Sequence, residues 1–201
     1  MSRLKGMFDN SKSIEQYSKD YSDYLHSILQ KADSKPISAF VGVLLKARQD
    51  GRRIFFMGNG GSASTASHFA ADLCKNVSPD TKDKFRTMSL VDNSALATAL
   101  ANDLGYENIF VEQLSAMMEK GDVVVGISAS GNSKNILKAV EYANSNGGIT
   151  IGIVGFDGGQ LKKEAMHCIH FPSYSGEYGP VEDAHIILNH IIVTYLSFSK
   201  K

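Results

Sequence analysis

The chain has 201 residues, of which 21 are basic and 21 acidic, so it carries no formal net charge. That balance excludes a basic stripe for a nucleic-acid backbone and an acidic tail, so any recognition of anions is local. Cys74 and Cys168 lie in apolar surroundings without ligand-like spacing and read as buried free thiols; with no apolar core of signal-peptide length and no run of roughly 18 apolar residues, a soluble cytoplasmic protein is expected.

At this length, without a break rich in Pro, Ser or charge, the simplest organisation is one α/β domain over residues 51–201 preceded by a helical segment over 1–50. Over residues 13–32, Ile14, Tyr17, Tyr21, Tyr24 and Ile28 recur three and four apart, which predicts a helix with a narrow seam that Leu25 and Leu29 widen. Such a seam packs on the domain or on a sister subunit. Pro36 breaks this helix and opens the next, which runs through Phe40, Val43, Leu44 and Ala47 to a stop at Asp50-Gly51.

Residues 55–75, FFMGNGGSASTASHFAADLCK, hold the centre of the pattern. An apolar run breaks into Asn59-Gly60-Gly61-Ser62 and then into helical spacing: strand, tight turn, helix. Gly60 and Gly61 let the backbone turn sharply and approach a ligand, while Ser62, Ser64 and Thr65 set hydroxyls beside the unpaired N–H groups of a helix start. An anion suits that position, and a phosphate suits it better than a carboxylate. Taken alone the stretch is equally an ordinary βα turn. His68 and Asp72, four residues apart, share one helical face just beyond it, either as a solvated pair or as a catalytic couple.

After a polar connection over residues 79–84, residues 85–91 read as a strand, and Asp92-Asn93-Ser94 opens a helix through Leu96 and Leu100 that stops near Asn102-Asp103-Leu104-Gly105. Residues 106–118 read as one further helix, and the β-branched run 123–127 as a strand buried on both faces of a parallel sheet. That strand ends in Ser128-Ala129-Ser130-Gly131-Asn132-Ser133, ahead of helical spacing over 136–143, so the first arrangement repeats. Two such turns at the carboxyl ends of parallel strands predict a phosphorylated ligand. A fourth strand follows over 150–155, then the turn Asp157-Gly158-Gly159, a short helix from Gln160 and a fifth strand over 167–171. His167 and His170 flank Cys168, but strand alternation sends them to opposite faces, which favours structural roles over a metal pair. The last helix, from about Val181, carries Glu182, His185 and His190 as one polar stripe among isoleucines and leucines, and burying such groups without partners is costly.

The combination of GNGGS, HFAADL, S-x-SGNS and an E-D-x-H-x-x-x-x-H helix strongly resembles the sugar isomerase (SIS) domain family, and within it the phosphoheptose isomerases, over nearly the whole chain. The resemblance implies a three-layer α/β/α sandwich with a five-stranded, flavodoxin-like parallel sheet, N-terminal helices that build a homotetramer, and active sites at subunit interfaces. It implies phosphate and sugar binding at Asn59, Gly60, Gly61, Ser62, Asn93, Ser128, Ala129, Ser130 and Ser133. It places catalysis at Asp72, His190 and Glu182, and metal binding at His68, Asp72, Glu182 and His190.

Two matches depart from the family pattern, which has Glu at Asp72 and Gln at Glu182. Asp is one methylene shorter, and an offset near 1 Å can cost about a hundredfold in rate, so the substrate can differ from sedoheptulose 7-phosphate. Two carboxylates and two imidazoles match the ligand types zinc accepts, so one divalent ion per subunit is expected, a metal-free site being the alternative, and no organic cofactor. The expected reaction interconverts an aldose and a ketose phosphate through an enediol, with Asp72 as base, His190 as the acid at the sugar oxygens, and Glu182 able to exchange roles with Asp72. Two competing readings are a non-catalytic SIS-domain tetramer that binds a replication initiator and a module that only senses sugar phosphates. The acid and the histidine kept at Asp72 and His190 favour the enzyme, with neither nucleic acid nor membrane as partner.

Overall fold

The computed structural model describes residues 2–77 and 84–199. Apart from Lys84, the polar connection expected over 79–84 lies outside them. Three helices lead in: α1 (Arg3–Asn10), α2 (Ile14–Lys31) and α3 (Ser34–Gln49). The chain then alternates through β1 (Arg53–Gly58), α4 (Gly61–Asn76), β2 (Arg86–Ser89), α5 (Ser94–Leu104), a 3-10 turn (Tyr106–Asn108), α6 (Val111–Met117), β3 (Val123–Ser128), α7 (Lys134–Ser145), β4 (Ile149–Val154), α8 (Leu161–Glu164), β5 (His167–His170) and α9 (Tyr178–Phe198). All five strands are parallel, in the order β2-β1-β3-β4-β5. This is the expected sandwich. Every residue of β3 is buried, as a central strand covered by helices on both faces requires.

Alternation along β1 divides the core in two. Phe56 points into the layer built by α2, α3, α4 and α9, where it stacks on Phe69 at 5.0 Å among Ile28, Phe40 and Leu188. Phe55 points the other way, among Leu114, Ile136 and Val140 from α6 and α7.

The tyrosine seam of α2 is spent inside the chain. Tyr24 and Ile28 are buried in the first core layer, Tyr21 Oη donates to Asp183 Oδ2 at 2.5 Å, and Tyr17 packs edge-on against Phe8. Ile14, at the start of the same seam, stays 72% exposed, so that end of the helix is still open to a neighbour. Helix α1, not expected from the sequence, is tied down by distant groups: the buried Glu177 carboxylate accepts from Ser2 Oγ, the Leu4 N–H and Tyr24 Oη at 2.7–3.1 Å.

Other differences are local. Asp33 caps α3, so Pro36 falls inside its first turn, where a missing N–H costs nothing. Pro180 sits likewise in the first turn of α9, which starts three residues earlier than expected. The single helix expected over 106–118 splits around Ile109 and Phe110, both buried. Cys74 is exposed rather than buried, because it follows the core residue Leu73 and lies about 100° round α4 from it. No helix among the described residues is long and apolar enough to cross a membrane.

Candidate active site

The chain leaves β1 for β2 on one side and returns to β3 on the other, so β1 and β3 flank the point where strand order reverses. Open α/β sheets bind ligands outside the carboxyl ends of the strands at that point. Here a cavity of about 130 Å³ lies between the turns that open α4 and α7, lined by Asn59, Ser62, Ile127, Ser128, Ala129, Ser130, Ser133, Tyr178 and Glu182. It is smaller than the roughly 300–1,000 Å³ of a drug-sized pocket.

Both helix starts face this cavity without side-chain caps. Ser2, Ser13, Asp33 and Asn93 each cap their own helices, whereas Gly60 and Ser133 leave the first N–H groups of α4 and α7 without one. Uncapped N–H groups at two helix starts, beside four serine hydroxyls, are the kind of groups that can accept an anion. Ser128 Oγ lies 3.2 Å from Ser133 Oγ and accepts from the Gly131 N–H at 3.1 Å, which closes the second turn on itself. Gly131 has φ +64°, and a β-carbon there would fall 2.0 Å from the Gly158 carbonyl oxygen. The Gly158-Gly159 turn thus supports the Ser128–Ser133 turn from behind.

Asn59 ties the two turns together. Its Nδ2 donates to Asn135 Oδ1 at 3.0 Å and its Oδ1 accepts from Asn135 Nδ2 at 2.9 Å, a reciprocal amide pair, while Tyr106 Oη donates to the same Oδ1 at 2.7 Å. Sequence reading missed Asn135 and Tyr106. Asn135 stands two residues past Ser133 in a motif already singled out, but nothing local marks Tyr106.

Further along α4, His68 Nε2 lies 3.1 Å from Asp72 Oδ2, and His190 on α9 meets His68 edge-on with ring centroids 5.1 Å apart. One donor atom from each of His68, Asp72 and His190 lies within 4.8 Å of the others. Two imidazole nitrogens and a carboxylate oxygen are donors that zinc and related ions accept, so these three side chains can hold a divalent metal. Glu182 stands apart from them, against Gly61 in the hydroxyl cavity. Asn93 does not reach that cavity either; its Oδ1 accepts from the Leu96 N–H as the cap of α5. His170 spends its ring on the Phe156 carbonyl and on Lys162 Nζ, each at 3.0 Å, as a structural histidine does.

A hydroxyl cavity at the start of α4 and an imidazole–carboxylate cluster further along the same helix describe an α/β protein with groups suited to an anion next to groups able to move protons. The SIS domain model matches residues 16–155, and the chain belongs to that family, among the phosphoheptose isomerases. It is 38% identical over 156 residues to a phosphoheptose isomerase of Geobacter metallireducens, covering 78% of this chain and 81% of that one. It is 36% identical over 192 residues to phosphoheptose isomerase 2 of Campylobacter jejuni, covering 95% and 89%. The solved phosphoheptose isomerase of Neisseria gonorrhoeae superposes with a TM-score of 0.83 at 26% identity, over 92% of this chain and all of the other.

Proposed function

We propose that this protein is a phosphoheptose isomerase acting on sedoheptulose 7-phosphate, and that one feature of α4 carries the reading. This helix bears the phosphate turn at its start and the His68–Asp72 couple on one face further along. From Ser62 to His68 the helix rises about 9 Å. An extended seven-carbon chain with bonds near 1.5 Å spans roughly 8 Å between its end carbons, so a phosphate at one end leaves the other end at the couple. A triose phosphate is too short for that separation.

The assigned roles follow from position. Ser62, Ser128, Ser130 and Ser133, with the N–H groups opening α4 and α7, hold the phosphate, and that binding energy fixes the reacting carbons. Asp72 takes the proton from the carbon next to the carbonyl and returns it to the neighbouring carbon. His190, exposed at the rim, moves protons at the sugar oxygens. Glu182, between the phosphate turn and the rest of the sugar, orients the chain. A zinc-type ion held by His68, Asp72 and His190 would supply Lewis-acid stabilisation of the enediol oxygen.

We also propose a cytoplasmic homotetramer. Support comes from α9, where Ile191, Tyr195 and Phe198 are more than half exposed along a groove of about 570 Å³ that His190 also lines. A second copy on that face would enclose the reacting end of the substrate. Isomer exchange followed by NMR over a panel of C5 to C7 sugar phosphates tests the activity. The expected result is exchange of sedoheptulose 7-phosphate with its aldose, and a protein that exchanges only shorter sugars overturns the assignment. Light scattering that gives a monomer mass at micromolar concentration removes the tetramer.

A further inference from the structure

On α9 the row that enters the core is Ala184, Leu188, Ile192 and Leu196, and beside it stands an amide, Asn189, with no exposed surface. Its Nδ2 donates to Asp72 Oδ2 at 2.9 Å, while its Oδ1 has no hydrogen-bond partner among the described residues. A buried amide with one end unsatisfied is less stable than a leucine of the same shape. The fold therefore carries a cost at this position that an apolar side chain would remove. The orientation is not arbitrary, because turning the amide over would set its oxygen against the Asp72 carboxylate.

What that cost secures is the place of one carboxylate. Asp72 Oδ1 accepts from Asn76 Nδ2 at 3.1 Å, and Oδ2 faces both His68 Nε2 and Asn189 Nδ2. Asn76 and His68 belong to α4 itself, one turn either side of Asp72, and both are exposed. Asn189 comes from the other helix, is held rigidly by burial, and is the immediate neighbour of His190. It fixes Asp72 relative to His190 across the α4–α9 contact, which the two partners on α4 cannot do.

We propose that Asn189 is the positioning residue for Asp72, holding the carboxylate at the point where it takes the substrate proton and, with His68 and His190, binds metal. This inference deepens the isomerase reading and rests on it for the kinetic part of the test. Groups that orient a metal ligand from behind typically change metal affinity or activity by about 10–100-fold when removed.

The test is Asn189→Leu in the full-length protein, which keeps the shape and deletes the N–H. The expected result is a kcat reduced about 10–100-fold on sedoheptulose 7-phosphate with KM within about threefold, an affinity for Zn²⁺ alone reduced about tenfold or more by chelator competition, and a thermal midpoint equal to or above that of the parent. Parental kcat and Zn²⁺ affinity overturn the proposal. So does a loss of thermal stability with activity preserved, which makes the amide purely structural. A second measurement needs no turnover: the Asn189 side-chain amide proton, assigned by NMR in the parent, should move upfield in Asp72→Ala. An unchanged resonance overturns the proposal. If the parent turns over no heptose phosphate while the NMR and Zn²⁺ results hold, the isomerase assignment fails and the Asn189–Asp72 clamp stands.

Discussion

The Glu182 carboxylate fills the space that a side chain on Gly61 would need: a β-carbon built there falls 2.3 Å from Oε2 and 2.4 Å from Cδ. Gly61 is the first residue of α4, and alanine is favoured over glycine in a helix by up to about 1 kcal/mol, so the glycine is kept for the close approach. That approach sets a negative carboxylate over the positive end of the helix, beside the proposed phosphate. Gly61→Ala should displace the end of the flexible Glu182 side chain, leave thermal stability unchanged or slightly raised, and lower kcat/KM by up to about a hundredfold, the effect of a 1 Å misplacement. Calorimetry together with steady-state kinetics checks both halves. A variant that loses stability but keeps kcat/KM would separate the glycine from the site.

The four serines make a second prediction. Ser62→Ala or Ser130→Ala should weaken binding of inorganic phosphate and of sugar phosphates by roughly 1–3 kcal/mol, the cost of losing a hydrogen bond to a charged group. Unfolding midpoints should hardly move. Titration calorimetry with both ligands measures this, and unaltered affinity in both variants would remove the phosphate role from these turns.

Asp72 and His190 should act as a unit, because His68 bridges them by a 3.1 Å contact on one side and a ring contact on the other. Asp72→Asn and His190→Ala should each remove most turnover, and the double variant should be little worse than either alone. Losses that multiply instead would show independent roles. Glu182→Gln discriminates the base: if it abolishes turnover while Asp72→Asn keeps it, the proton is taken from the cavity side.

His185 supplies a pH dependence of stability. Fully buried, it is pushed from 6.5 down to about 4, first by burial, with the Val154 backbone acting in the opposite direction. The unfolded chain therefore binds a proton at higher pH than the folded one. Stability from this residue is complete above pH 6.5 and declines as the pH falls towards 4. Between pH 7.5 and pH 5 the loss should be about 2 kcal/mol. Urea unfolding of the parent and of His185→Leu at the two pH values tests it, the variant losing that much less. Equal losses would place the acid sensitivity elsewhere.

Local pattern carried much of this protein in the sequence itself. The β-branched runs gave β3 and β4, two glycine–serine turns gave the hydroxyl cavity, and a spacing of four gave the His68–Asp72 couple, since each depends only on residues within a few turns of one another. Tertiary structure decided what those local pieces face. Periodicity marked the Tyr17 to Ile28 seam as apolar, but only the packing of α2 against α9 and α1 showed that the chain itself buries Tyr24 and Ile28. Glu182 and His190 read as one stripe, yet eight residues of helix rise by about 12 Å, which delivers one to the hydroxyl cavity and the other to the His68–Asp72 couple. The Asn59–Asn135 pair, the Glu177 clamp on α1 and the Asn189–Asp72 bond join groups 76 to 175 residues apart. No short-range signal encodes such pairings, because their partners become neighbours only when the sheet and its covering helices have closed.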